Sequence, residues 1–148
     1  MIKYSIECWL HHVVDDRFLL LRCPVTHRHD EYWQPVTGGR NPDEPAVDAC
    51  LREVREETGI ELAPEQLELV IPEFSFCIPD ARIELRKPVY LARVISDTVV
   101  ISPEHVAYYW FDADQVEANL HWDSNRESFR HVLDYSRRSG GAPSWPRR

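Results

Sequence analysis

Apolar residues crowd positions 2–10 and 17–22 on either side of the polar turn Asp15-Asp16-Arg17, a pattern that predicts two strands. Pro24 to Asp30 (PVTHRHD) has loop composition, and Trp33 to Gly39 predicts a short strand running into a glycine turn. From Pro45 to Thr58 the period changes. Val47, Cys50, Leu51 and Val54 fall at i, i+3, i+4 and i+7, one apolar face of a helix. Asp43 or Glu44 supplies its N-terminal carboxylate, Pro45 suits its first turn, and Gly59 stops it. Further on, 66–77 and 82–95 predict strands around a turn at Pro79-Asp80, and another strand is expected at Val106–Phe111. A short helix is expected from Asp114. A longer one starts at Ser124, where Ser124-Asn125-Arg126-Glu127 fits a capping box ahead of Phe129, Val132, Leu133 and Tyr135. The class is α+β, a mixed sheet flanked by the central and C-terminal helices. One domain over 1–138 and a flexible tail over 139–148 (SGGAPSWPRR from Ser139) are expected.

Composition narrows the function. The chain has 148 residues, with 17 Lys and Arg against 25 Asp and Glu, so its formal charge is −8. Phosphate contacts along a polymer need a basic surface, which argues against nucleic acid as a partner. A small phosphorylated substrate stays open if a metal ion offsets the repulsion. The longest apolar runs, such as Phe18–Leu21, are far short of the roughly 18–20 residues that span a bilayer, so no membrane partner is expected. The start, Met1 to Glu7, has no apolar signal core. Cys8, Cys23, Cys50 and Cys77 include no CxxC pair, which favours buried reduced thiols and a cytoplasmic protein.

The central helix has a second face. Glu53, Glu56 and Glu57 stand at i, i+3 and i+4, so three carboxylates project from nearly one side. Like charges at that spacing cost a helix about 0.2–0.5 kcal/mol per pair, and Arg52, four residues before Glu56, offsets one pair. A solvated acidic face is one reading. The other is a hard-cation site for Mg²⁺ or Mn²⁺, whose preferred ligands are carboxylate oxygens.

From Gly38 to Ile60 the chain runs GGRNPDEPAVDACLREVREETGI. This resembles the Nudix signature: Gly, five residues, Glu, seven residues, Arg-Glu, an aliphatic, any residue, Glu-Glu, any residue, Gly, an aliphatic. Gly38, Glu44, Arg52, Glu53, Val54, Glu56, Glu57, Gly59 and Ile60 fill all nine specified positions. A chance match at one starting point is on the order of 10⁻¹⁰ to 10⁻⁹. The resemblance implies the Nudix α/β/α sandwich and attack of water on a phosphorus of a nucleoside diphosphate linked to another group. Glu53, Glu56 and Glu57 would hold divalent ions, and Gly38 would bring its carbonyl close to them. Glu53 or Glu56 would serve as the base, and Arg52 would orient a glutamate by a two-pronged hydrogen bond. For Glu44, anchoring the loop competes with a catalytic role.

Three further segments resemble bacterial dihydroneopterin triphosphate pyrophosphatases, also described as dATP or dNTP pyrophosphohydrolases. They are Trp33–Gly38 (WQPVTG), Glu104–Trp110 (EHVAYYW) and Trp122–Arg126 (WDSNR). This narrower resemblance adds Glu104 as a metal ligand and Lys3, Arg22 and Thr37 as substrate contacts. It implies release of pyrophosphate from a nucleoside or pterin triphosphate. Dinucleoside polyphosphates and oxidised dNTPs are alternative substrates, and a non-catalytic nucleotide sensor is an alternative class that the intact set of box carboxylates disfavours. Pro35, the loop Gly39-Arg40-Asn41-Pro42-Asp43 and an apparent insertion at Thr26–Asp30 depart from the group's pattern. Monomer and homodimer are both left open. His11, His12, His27 and His29 are weaker candidates for a soft metal, and Tyr32, Trp33 and Phe74 are candidates to stack on a heterocycle.

Overall fold

The computed structural model describes residues 1–139; residues 140–148, nearly all of the expected flexible tail, lie outside the described residues. The paired apolar runs at the start form β1 (Ile2–His12) and β2 (Arg17–Cys23). The stretch from Trp33 to Gly39 is two strands, not one: β3 (Tyr32–Gln34) and β4 (Val36–Gly39). Pro35 divides them, having no N–H for a ladder. The central helix is α1 (Ala46–Thr58), followed by β5 (Leu67–Ile78), β6 (Ile83–Val94) and β7 (Ala107–Asp112), then α2 (Ala113–Asn119) and α3 (Asp123–Arg138). Among the described residues no helix is long and apolar enough to cross a membrane.

All seven strands join one mixed sheet. β3, β2, β1, β6 and β5 lie in that order, with β4 added to β1 and β7 to β2. Among the described strand pairs only β1 and β6 run parallel. Strand alternation sends Ile6, Cys8 and Leu10 to one face, where they pack with Ala49, Cys50 and Val54 of α1. It sends Trp9, Phe18 and Leu20 to the other, against Val116 of α2 and Phe129 and Val132 of α3. The result is the α/β/α sandwich that the resemblance implies. Phe129 meets Trp9 and Phe18 with ring centroids 4.9 and 5.0 Å away, so its truncation to Ala would cost about 3–5 kcal/mol.

Both expected helix starts differ from their sequence signals. Pro45 is the N-cap of α1 and Trp122 that of α3, and neither supplies a side-chain cap. Glu44 gives its carboxylate to Arg52 instead, and Ser124 lies inside the helix that its capping box was expected to start. Leu51 is only half-buried, and the inward stripe of α1 runs through Ala49, Cys50 and Val54. Cys8, Cys23 and Cys50 are buried free thiols as expected, whereas Cys77 is exposed near the end of β5.

On the α3 face lies a buried ion pair. Glu7 is fully buried and Lys87 nearly so, with Nζ 2.6 Å from Glu7 Oε1. The same carboxylate accepts from Trp9 Nε1 (2.7 Å), Asn125 Nδ2 (3.1 Å) and Ser128 Oγ. It is a fully supplied acceptor. β1, β6 and α3 are tied through it.

Candidate active site

The C-terminal half of α1 brings Glu53 against Gly38 of β4 and Glu57 beside His105 of the loop before β7, with Glu56 exposed next to them. Gly59 ends the helix at φ 75°, a left-handed turn that favours glycine, and its N–H bonds the carbonyl of Arg55 (2.9 Å). Gly38 sits on β4, opposite Ile6 of β1. A Cβ there would stand 2.1 Å from Glu53 Oε2, so only glycine lets this carboxylate reach the strand.

The three glutamates occupy different environments. Glu56 is exposed and accepts from Arg52 Nη1 at 3.1 Å. Glu53 is half-buried, and burial raises its pKa against the pull of Arg52. Glu57 is 4% exposed. Burial, then the charges of Glu53 and Glu104, push its pKa up to about 9, with the Thr37 backbone opposing. Among the described residues its Oε1 is buried with no hydrogen bond, and His105 Nε2 is 3.9 Å away. Burial lowers the pKa of His105, which keeps the ring neutral. His105 is the residue of this site that sequence reasoning undervalued; its only signal was its place beside Glu104.

Glu104 belongs to the loop before β7. That loop is held by the N–H of Val106 on the carbonyl of Arg22 (2.9 Å) and of His105 on Ser102 (3.1 Å). From there Glu104 is close enough to raise both Glu53 and Glu57. Cys23, which nothing in the sequence pointed to, also adjoins the cluster, and Tyr32 adjoins Cys23. Burial lifts the Cys23 thiol to about 11, with the Glu57 and Glu104 charges adding to it.

Arg52 braces this assembly. Its Nε and Nη2 fork onto Glu44 at 2.8 and 2.9 Å, Nη2 also donates to the Gly39 carbonyl (3.0 Å), and Nη1 reaches Glu56. The two-pronged bond thus goes to Glu44, whose carboxyl Arg52 holds down to about 2. Glu44 also accepts from the Asn41 N–H (3.1 Å), which fastens the loop between β4 and α1.

The expected substrate contacts are less concentrated. Thr37 donates its hydroxyl to the Ile6 carbonyl (3.0 Å). Arg22 pairs with Glu31 (2.8 Å) and lies over the Trp33 ring, its Nε buried without a partner. Lys3 is exposed on β1 opposite Leu85 and enters none of the contacts around the carboxylates. Phe74 is 7% exposed within the α3-side core, whereas Trp33 is half-buried at its edge, set edge-on to Phe111. Tyr32 joins His29, His121 and Trp122 in an aromatic group. His11 bonds Asp16 and His12 accepts from the Asp15 N–H, which uses both as structural groups.

The donor set suits a hard cation: carboxylate oxygens, the backbone at Gly38, and a buried Glu57 oxygen lacking any partner. Among the described residues no three His, Cys, Asp or Glu side chains converge on one point as they stand. A divalent ion would draw them together.

The NUDIX domain model matches residues 10–132. The chain belongs to the Nudix family. It is 30% identical over 129 residues, 76% of this chain and 83% of the relative, to the dihydroneopterin triphosphate diphosphatase of Escherichia coli K12. The structure of the E. coli dihydroneopterin triphosphate pyrophosphohydrolase superposes with a TM-score of 0.73 at 26% identity, covering 90% of this chain and 98% of that one. The NUDIX domain of Shewanella oneidensis NrtR, complexed with ADP ribose, shares the fold alone, with a TM-score of 0.76 at 16% identity and coverage of 90% and 88%. This Nudix protein is therefore a hydrolase acting on phosphoric anhydride bonds. Nudix hydrolases generally use divalent metal ions, and their substrates are small nucleotides or pterins.

Proposed function

We propose that the protein is a Mg²⁺-dependent pyrophosphohydrolase that cleaves a nucleoside or pterin triphosphate to its monophosphate and pyrophosphate, with Mn²⁺ as a substitute ion. The observation that carries this reading is Glu57: a carboxylate in the interior, crowded by Glu53 and Glu104, with one oxygen bonded to nothing. A buried carboxylate without a donor is costly unless protonated or bound to a cation. The names of the E. coli relatives supply the substrate class, dihydroneopterin triphosphate, and dATP is the nucleotide counterpart in the same reaction.

Glu53, Glu56, Glu57 and Glu104 would hold the metal, with the Gly38 carbonyl beside them. When bound, the metal neutralises the polyphosphate and lowers the pKa of a coordinated water. Glu53 combines partial burial with a raised pKa, which suits it to take a proton from the attacking water; Glu56, exposed and tied to Arg52, is the other candidate base. Arg52 and Glu44 brace the loop before α1 against the helix that carries three of these carboxylates. Lys3, Arg22 and Thr37 are proposed as substrate contacts, Arg22 by exchanging Glu31 for a phosphate or ring oxygen.

The test is a substrate panel of dihydroneopterin triphosphate, dATP, 8-oxo-dGTP and a dinucleoside polyphosphate with Mg²⁺, following pyrophosphate and orthophosphate separately. Pyrophosphate and a monophosphate are expected from one of the two triphosphate classes, with no turnover in chelator. Orthophosphate as the sole product rejects the scheme. Binding of nucleotide without turnover of any member would make the protein a sensor.

A further inference from the structure

Away from the carboxylates, the sheet has a gap centred on Pro88 in β6. Proline has no N–H for a ladder, and pairing is interrupted on both sides of it. β1 pairs Tyr4 with Arg86 and resumes at Glu7 with Val89; β5 pairs Phe74 with Lys87 and resumes at Ile71 with Val89. Successive register shifts bulge β5 around Pro72 and Glu73. A cavity of about 200 Å³ opens there, lined by Tyr4, Arg40, Pro72, Arg86, Pro88 and Tyr90.

The lining is rich in donors. Arg40 spends its Nε on the Glu44 carbonyl (3.2 Å), and its two Nη groups make no hydrogen bond among the described residues. Arg86 pairs through Nε with Glu84 (2.6 Å), which leaves the rest of its fork uncommitted. Ala46, the first residue of α1, also lines the cavity, and the Pro45 N-cap offers no side chain to the first-turn N–H groups. Tyr90 adds a phenol: its ring is buried, the residue being 6% exposed, and its hydroxyl makes no hydrogen bond to a described residue. Arg40 stands close enough to act on that phenol electrostatically. Against these donors the lining carries one carboxylate, Glu73.

Guanidinium forks, a helix N-terminus and a phenol together suit an oxyanion. The size decides which one. Pockets for drug-sized ligands run to roughly 300–1,000 Å³, so about 200 Å³ matches a small anion better than a whole nucleotide. We propose that the Pro88 gap is a second anion site, separate from the carboxylate cluster, which binds inorganic phosphate or pyrophosphate through Arg40, Arg86, Tyr90 and the Ala46 end of α1. The site would exist whatever the substrate of the catalytic centre.

The full chain in EDTA, which disables any metal-dependent phosphate binding, is titrated calorimetrically with sodium pyrophosphate, sodium phosphate and AMP. One saturable site for an inorganic anion is expected, with AMP binding at least tenfold more weakly. Arg86→Gln and Tyr90→Phe, the latter removing a single oxygen, should each weaken binding at least fivefold, while Glu56→Gln leaves it unchanged. Absence of saturable binding, equal affinity in both variants, or a preference for AMP would overturn the proposal. Because the titration needs neither metal nor turnover, its failure is distinct from failure of the hydrolase reading.

Discussion

Glu7 and Glu57 are both carboxylates in the interior of the same sandwich, one on each side of the sheet. Glu7 sits beneath α3 and accepts from Lys87, Trp9, Asn125 and Ser128. Glu57 sits on α1 with an oxygen bonded to nothing, and Glu53 and Glu104 near it. Burial is therefore not what separates a structural acid from a functional one. The difference is supply: the fold meets the first carboxylate's demand for donors and leaves the second's unmet. A chain with 25 acidic residues can thus carry one as a strut and others as a docking place for cations.

The largest expected effect breaks the comparison at Glu57. Glu57→Gln should lower kcat about a thousandfold or more, equivalent to roughly 4 kcal/mol of barrier. The same change should raise metal-free stability at pH 7.5 by about 1–3 kcal/mol, because it removes the crowded acid. Steady-state rates and denaturant melts check the two signs together. Unchanged activity would end the metal-site assignment.

Next in size is Glu7→Gln. It leaves the Lys87 ammonium buried without its counter-charge, so stability should fall by about 3–5 kcal/mol, with kcat per folded molecule within roughly threefold of wild type. A Glu7→Gln, Lys87→Met double variant should recover much of that loss. Opposite stability signs at Glu7 and Glu57 are the result expected from supply; equal signs would refute it.

The pH dependence follows from the same contrast. Glu57 has its folded pKa raised from 4.5 to about 9, so the folded state holds a proton that the unfolded state has released. Its contribution to stability is full below 4.5 and is lost as pH rises through about 9, at no more than about 1.4 kcal/mol per pH unit. His105 works in a different window. Burial lowers its pKa, so its contribution is present above 6.5 and is lost as pH falls below that. Metal-free melts between pH 7 and 9 should therefore slope downward with pH. Mg²⁺ should reverse the slope, and Glu57→Gln should flatten it.

Much of this was legible in the chain, and the misses share a cause. Val47, Cys50 and Val54 announce α1 because a helix repeats locally, and Gly59 marks its end for the same reason. The box carboxylates are legible because three and four residues of spacing bring them to one side. The Glu7–Lys87 pair is invisible to such reasoning: 80 positions separate its members, and only the parallel register of β1 on β6 brings them together. Phe74 was expected at a binding surface and is core because the face that β5 turns to α3 depends on its bulges. The expected Glu44 cap gave way to competition, since Arg52 takes both oxygens of its carboxylate, whereas Ser124 lies inside a helix that already starts at Asp123.

That competition gives the smallest effect and the sharpest form of the comparison. Arg52 is to the acidic cluster what Lys87 is to Glu7, a cation beside carboxylates, but it commits its fork to Glu44 and Gly39 and leaves Glu57 unserved. Lysine can replace the charge and cannot replace the fork. Arg52→Lys should therefore lower kcat/KM by about 10- to 100-fold through a loosened loop, with stability changed by less than about 1 kcal/mol. If Glu44 acts only through Arg52, adding Glu44→Gln to Arg52→Lys should cost little more than either change alone. Fully multiplicative losses would show that Glu44 acts at the centre in its own right. The double-mutant cycle in kcat/KM thus decides whether the box's first glutamate anchors the loop or joins the chemistry.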